Sequence, residues 1–285
     1  MIKPLIDTLS FILRHPIAGR TPVRSLMRYA DWQIRSRRMS EVVVPWVGDT
    51  RLVARSGMSG ATGNIYCGLH EYAEMAFTLH MLRPGDLFCD AGANIGSYSV
   101  LASGVIGATT IAIEAAPETA RHLRRNVDAN AIGHLVEIHE VLIGPVVGQA
   151  YFSSGNDSTN RVTDEAERGA RPLPMTTLDA VLNGRCPVMM KMDIEGYEEQ
   201  ALAGAEKMLS DERLQAVCIE LFSDAVADLF RRHGFSRVYY DPRSRALTIS
   251  PNGISHSNAL LVRGFEQVSE RLRAAPAVRV LGHPV

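Results

Sequence analysis

One stretch fixes most of what this chain can become: Leu87-Phe88-Cys89-Asp90-Ala91-Gly92-Ala93-Asn94-Ile95-Gly96-Ser97. An apolar run of strand length ends at Asp90. It passes through two glycines straight into Tyr98, Val100 and Leu101, the start of a helical face. A strand, a glycine bend and a helix in that order belong to an open α/β sheet. Ligands of such sheets bind beyond the carboxyl ends of the strands. Gly92 and Gly96 permit a tight turn and let a ligand approach the backbone where a Cβ would block it. Asp90, Gly92, Asn94, Gly96 and Ser97 are therefore candidate cofactor-binding residues.

The bend narrows the choice of cofactor. A dinucleotide fingerprint needs glycine at its first, third and sixth positions, and counting from Gly92 the latter two are Asn94 and Ser97. A side chain at Asn94 stands where a diphosphate would press against backbone. No Gly-Lys-Ser/Thr of a P-loop follows. A cofactor with ribose and adenine but no phosphate, of which S-adenosylmethionine is the common one, suits the turn better. Thr109 to Ile113 reads as the next strand, and Glu114 at its tip is placed to bind two ribose hydroxyls. NAD would use the same carboxylate, so Glu114 supports a nucleoside without choosing between the two.

The 285 residues, 46% hydrophobic, allow one large α/β domain with an extension, or two small domains. The spacing predicts strands over 87–90, 109–113, 136–142, 188–193 and 216–221, with helices between them, and a helix from Tyr197 to Leu209. Three more strands, 238–240, 246–249 and 258–262, follow without intervening helices. That order predicts a mostly parallel sheet with an antiparallel edge. Residues 151–175 break the rhythm and read as an inserted hairpin or polar loop. The chain divides into an N-terminal helical extension with a small hairpin (1–58), a cofactor-binding domain (59–265) and a C-terminal helix with a loose tail (266–285).

Net charge is −1, but residues 1–40 carry eight basic and two acidic side chains, leaving the remainder at −7. An acidic body disfavours nucleic acid as a partner. Ile2, Leu5, Ile6, Leu9, Ile12 and Leu13 fall at helical spacing, and a second helix from Val23 to Arg38 carries the arginines. Two readings stand: peripheral contact with a membrane surface or an acidic partner, or a lid packed on the core with a solvated basic face. None of the four cysteines forms a C-x-x-C pair, which fits reduced cytoplasmic thiols. No apolar run approaches the ~20 residues of a membrane span, and Asp7 interrupts the only stretch resembling a signal peptide. The expected location is cytoplasmic or membrane-peripheral; oligomeric state is not legible.

Four segments together resemble the FkbM family of S-adenosylmethionine-dependent methyltransferases: Asp90 to Gly96, Ile113-Glu114-Ala115-Ala116-Pro117, Thr177-Leu178-Asp179, and Lys191-Met192-Asp193-Ile194-Glu195-Gly196-Tyr197-Glu198. Ala115 departs from the family's Glu-Pro-x-Pro. The resemblance spans roughly residues 60–265. It implies a class I, Rossmann-like methyltransferase fold with a seven-stranded sheet, and O-methylation of a sugar or polyketide hydroxyl.

Methyl transfer needs an oxygen held in line with the methyl carbon and relieved of its proton. Asp193, at the end of a strand, is the first candidate for that role and Glu195 the second; the plainer reading of Asp193 is an N-cap for the following helix. Leu142 also lies near a strand end. Asn64 and Glu71, with Thr62, precede the cradle and are expected near the methionine end of the cofactor. The 153–160 segment is expected at the acceptor mouth. Glu220 could join Asp193 at a metal, but spacing gives no third ligand and no metal is assigned. His70, His139 and His256 are further possible bases. The leading function is transfer of a methyl group to a hydroxyl of a small glycan, lipid-linked sugar or secondary metabolite. A nicotinamide-dependent oxidoreductase and a non-catalytic cofactor-binding protein remain alternatives.

Overall fold

Two helices open the chain, α1 (Ile2–Arg14) and α2 (Pro22–Arg38), the latter started by a proline in its first turn, where a missing N–H costs nothing. In this computed structural model residues 2–153, 162–163, 170–220, 222–249 and 258–285 are described. The predicted small hairpin is present as β1 (Val42–Pro45) and β2 (Arg51–Ala54). The glycine-rich segment after it forms a helix, α3 (Ser59–Cys67). Its composition reads as polar, but Ala61, Ile65, Tyr66 and Cys67 bury against Ile12, Trp32 and Val42, so tertiary packing overrides local propensity. Next comes α4 (Tyr72–Met81), buried from Ala73 to its end.

The cradle strand β3 (Leu87–Ala91) leads into one helical turn, α5 (Ser97–Ser99), that continues as a π-helix over Val100–Ile106. Then follow β4 (Thr109–Ile113), α6 (Pro117–Ala129) and β5 (Val136–His139). The predicted strand 136–142 divides here. Leu142 and Ile143, as β6 (Leu142–Ile143), leave the main sheet. They pair instead with a small sheet built by β7 (Gly148–Phe152), β8 (Val162–Thr163) and β9 (Arg171–Thr176), because Leu142 packs with Ala116, Phe152 and Met175. That hairpin is the insertion the sequence foretold; of the 153–160 segment, 154–160 lie outside the described residues, as does His256.

The main sheet resumes with α7 (Leu178–Leu182) and β10 (Met189–Met192). The helix expected over 197–209 is two, α8 (Glu198–Leu202) and α9 (Glu206–Ser210). They part around Gly204, where a Cβ would fall 2.4 Å from the Gly144 carbonyl oxygen. The rest is β11 (Ala216–Ile219), α10 (Asp224–Arg232), β12 (Ser236–Asp241), β13 (Ala246–Ile249), β14 (Ala259–Val262) and α11 (Phe265–Arg273). The C-terminal tail is not loose: β15 (Arg279–Val280) and β16 (His283–Pro284) pair, and Val280 and Val285 are buried in the main core.

Across the sheet the order is β13-β12-β14-β11-β10-β3-β4-β5. β5, β4, β3, β10 and β11 run parallel, and β14, β12 and β13 are antiparallel to their neighbours. The seven strands implied by the family resemblance are there; β13 extends the edge to an eighth. The chain runs outward from β3 through β4 to β5, then returns to the other side at β10. That reversal opens a crevice at the carboxyl ends of β3 and β10. Both faces are covered. Phe88, Ala112 and Met189 point into the core beneath α4 and α11, while Cys89, Ile111, Met190 and Met192 point into the core beneath α8, α9 and α10. All four cysteines are free. Among the described residues no helix is long and apolar enough to cross a membrane.

Candidate active site

The strand register assembles the site. Ala91 is level with Ile113 on β4 and with Met192 on β10, and Met192 is level with Ile219 on β11. Gly92, Glu114, Asp193 and Glu220 are each the next residue along, so four residues far apart in sequence form one row across four parallel strand ends. The row borders a cavity of about 280 Å³, whose lining also includes His70, Glu71, Asn94, Leu142, Phe152 and Glu195.

At the row's centre the backbone is tight. Gly92 has φ +81°, and a Cβ there would lie 1.8 Å from the Asp193 carbonyl oxygen. Gly96 has φ +88°, and its Cβ would meet Leu123 of α6 at 2.4 Å. Both glycines are thus required first by the protein's own chain, before any ligand enters.

Glu114 is held on both sides. Its Oε2 accepts from the Asn94 N–H at 2.9 Å and its Oε1 from the Ala116 N–H at 2.8 Å. Each oxygen keeps a lone pair for one more donor, which suits a pair of vicinal hydroxyls. Burial lifts this carboxyl to about 7 against those two hydrogen bonds. Asn94 sits at φ 51° and its N–H is already committed to Glu114.

Asp193 does not cap a helix. Its carboxylate accepts from Lys191 Nζ at 2.7 Å, two residues back on the same face of β10, and the N-cap of α8 is Tyr197. Lys191 is 3% exposed and its ammonium lies 4.8 Å from the centre of the Tyr98 ring. The Tyr98 hydroxyl in turn donates to Glu71 Oε2 at 2.5 Å, and Asn258 Nδ2 donates to Glu71 Oε1 at 3.1 Å. Burial disfavours the charge on Lys191, but Asp193 and then Glu71 outweigh it and raise its pKa. Burial likewise pushes Asp193 up, yet the Lys191 charge and hydrogen bonds from Glu220 and Lys191 bring it below its ordinary value. Glu220 moves the other way, to about 8, through desolvation and its contact with Asp193. Glu195, at φ 55°, is raised by burial and then by Asp193. Their contact therefore favours the charge on Asp193 and the proton on Glu220. Carboxylate oxygens of Asp193, Glu195 and Glu220 lie within 4.8 Å of one another, so Glu195 supplies the third oxygen that spacing had not revealed for a cation.

Other expected residues stand behind the wall. Asp90 is buried, accepts from the Ser99 hydroxyl at 2.6 Å, and is lifted to about 6 by burial. Asn64 donates to Ser97 Oγ at 3.2 Å and accepts from the His70 N–H at 2.8 Å, tying α3 to the cradle. Thr62 lines a separate hollow with Trp32 and Gln33. His139 pairs with Glu137 on the surface. Sequence reading missed Lys191 and Tyr98. The signal was present: a lysine amid Val188-Met189-Met190-Met192 must be paired if that strand is buried.

The lining also decides the cofactor class. Glu71, Glu114, Asp193, Glu195 and Glu220 face the cavity, and no lysine or arginine does among the described lining residues. Such a field repels a diphosphate and favours a ligand bearing a sulfonium and an ammonium. A doubly wound sheet with this switch point, a carboxylate at the tip of its second strand and an acidic described lining fit the class I methyltransferase fold. Residues 90–237, just over half the chain, match the methyltransferase FkbM domain, and the chain belongs to that family. S-adenosylmethionine is its cofactor, and the oxidoreductase alternative gives way. Solved structures resemble it at low similarity. A precorrin-6y C5,15-methyltransferase from Geobacter metallireducens is 14% identical, with 68% of this chain and 87% of that chain covered and a TM-score of 0.39. A methyltransferase from Thiobacillus denitrificans in complex with S-adenosyl-L-homocysteine is 12% identical, with 59% and 64% covered and a TM-score of 0.36. An M. jannaschii tRNA m1G37 methyltransferase is 12% identical, with 78% and 53% covered and a TM-score of 0.41. Comparison with curated proteins gives no match.

Proposed function

We propose that this methyltransferase acts on oxygen, at a hydroxyl of a small glycan, lipid-linked sugar or secondary metabolite whose reacting end carries no phosphate. The observation that carries this reading is the Asp193 carboxylate, paired with Lys191 at the rim of a cavity whose described lining holds five carboxylates and no lysine or arginine. S-adenosylmethionine, when bound, supplies an electrophilic methyl group. Glu114 would bind its ribose hydroxyls, with Gly92 and Asn94 beside them, and Leu142 and Phe152 supply apolar surface for a base. Asp193 accepts a hydrogen bond from the acceptor hydroxyl and points a lone pair of that oxygen toward the methyl. With the cofactor bound, the acceptor oxygen would gain the methyl as the sulfonium gives it up. The attacking oxygen becomes strongly acidic as it gains its carbon, so even a carboxylate of low pKa takes the proton. Glu220, inclined to hold the proton by its contact with Asp193, donates to Asp193 and steadies it, and Glu195 borders the same opening.

The test is transfer of labelled methyl from S-adenosylmethionine into glycan, lipid and metabolite extracts, with mass spectrometry of the product. An ether at a non-phosphorylated sugar or polyketide carbon is expected; methyl on nitrogen or carbon, or on a phosphorylated sugar in preference, overturns the reading. Asp193→Asn should retain S-adenosylhomocysteine binding and lose about 10²–10⁴-fold in turnover. A Glu195→Gln enzyme should lose less. Activity abolished by EDTA and restored by Mg²⁺ would reassign the three carboxylates from proton acceptance to cation binding.

A further inference from the structure

The N-terminal helices wear their apolar side outward. On α2 the buried positions are Ser25, Trp32 and Ser36. The opposite side, at the spacing of successive turns, carries Val23, Met27 and Ile34, which are 63%, 65% and 52% exposed. On α1, Ile12 is buried, while Leu5, Ile6 and Leu13 are 43%, 56% and 43% exposed. Most of the large exposed apolar side chains among the described residues belong to these two helices or to Met39 just after them. A lid folded over the core would turn the α2 stripe inward; α2 turns two serines and one tryptophan inward instead, and over residues 5–14 of α1 only Ile12 is buried. A few scattered apolar residues on a surface need no explanation, but a stripe on each of two adjoining helices does.

Charge identifies what meets it. Residues 1–40 carry eight basic and two acidic side chains in a chain whose net charge is −1. Arg14, Arg24 and Arg38 are exposed on these helices, and helical phase sets Arg24 and Arg38 on one flank of the Val23–Met27–Ile34 stripe, where Asp31 also falls, its charge met by Arg35. Apolar side chains flanked by arginines fit the boundary between acyl chains and anionic headgroups, where the stripe enters the bilayer and the guanidinium groups stay at the headgroups. A second copy of the chain fits less well, because two such faces would bring arginines against arginines.

We infer that α1 and α2 form a docking surface for an anionic lipid bilayer. The helix pair also adjoins the active site. The Phe11 ring lies 5.3 Å from the His70 ring, centre to centre, and His70 lines the cavity. His15 Nε2 lies 2.8 Å from the Leu69 carbonyl oxygen one residue before. A bilayer on the outer side of α1 would stand about one helix diameter, ~10 Å, from the cavity rim. Resting on the hydroxyl reading given above, this proximity narrows the acceptor to a sugar carried on a lipid.

Flotation of the full chain with vesicles tests the surface without any methyl transfer, so it can fail independently of the acceptor. Vesicles of phosphatidylcholine mixed with phosphatidylglycerol should carry the protein, pure phosphatidylcholine should carry little, and salt should release it. Arg24→Gln with Arg38→Gln should weaken binding about fivefold per arginine. Met27→Gln with Ile34→Gln should weaken it at least about tenfold. Both variants should keep the wild-type Tm and S-adenosylhomocysteine affinity, since the changed side chains are exposed. Equal binding of wild type and either variant, or no preference for anionic vesicles, overturns the inference. So does a lipid-independent dimer, seen by sedimentation, that Met27→Gln/Ile34→Gln dissolves.

Discussion

Glu114 and Lys191 decide how the site responds to pH. Burial lifts Glu114 to about 7, so near neutrality it is partly protonated in the free protein. Hydroxyl donors bind its ionised form better and pull the carboxyl down. S-adenosylhomocysteine should therefore bind more weakly as pH falls below about 7, by up to about tenfold per pH unit. Titration calorimetry from about pH 6 to pH 8 reads this directly. Glu114→Gln should bind less tightly at every pH and lose most of the slope, and an unchanged slope in that variant would assign the proton elsewhere. Lys191 works in the opposite sense. It is the cation that holds Asp193 ionised against burial. In Lys191→Met the Asp193 carboxyl should follow desolvation upward. The acid limb of kcat should then move toward neutral pH, with a larger loss of turnover at low than at high pH. A limb left in place would make Lys191 a packing residue.

Elements were legible from the sequence where period and punctuation agree. The parallel strands, the turn at Gly92 and the antiparallel edge could all be read from apolar runs bounded by glycine and proline. Glu114 and Asp193 could be placed because both stand at strand ends. Glu220 could be offered as Asp193's partner for the same reason; the third carboxylate, Glu195, could not, because its approach depends on a positive-φ turn after β10 that no apolar period encodes. The same holds for α3, whose helical form depends on Trp32 and Ile12 packing against it. Docking of α1 has its own pH signature. Burial pushes His15 down to about 4, and its Nδ1 accepts from the Ile17 N–H, which requires the neutral ring. The unfolded chain protonates this histidine below about pH 6.5, and the folded chain only near 4. Its contribution is complete above that upper value, drains as pH falls toward 4, and is at most about 3 kcal/mol. In thermal melts between about pH 7.5 and pH 4.5, His15→Asn should start lower than wild type and lose less on acidification. His80, also pushed to about 4 by burial, keeps part of the slope in both proteins.

At the scale of the molecule, both chain ends converge on one short segment. Leu69 is met by His15 from α1, Gly68 accepts from Trp46 Nε1 at 2.5 Å, and Val280 of β15 lies where a Cβ on Gly68 would be, 2.5 Å away. The next two residues, His70 and Glu71, line the cavity. Truncation after Ala275 removes Val280 and Val285 from the core, at about 1.5–3 kcal/mol for a fully buried side chain of this size. Tm should fall by roughly 5–15 °C. S-adenosylhomocysteine should bind more weakly although no truncated residue borders the cavity, and wild-type affinity would detach the tail from the site. The tightest junction of all carries a different consequence. Gly92 leaves no room between itself and the Asp193 carbonyl, so under the proposed function the segment that would grip the methyl donor and the segment that would face the acceptor share a single seam. A designer who wished to change the acceptor by rebuilding the turn after β10 would be recutting the donor pocket with the same stroke.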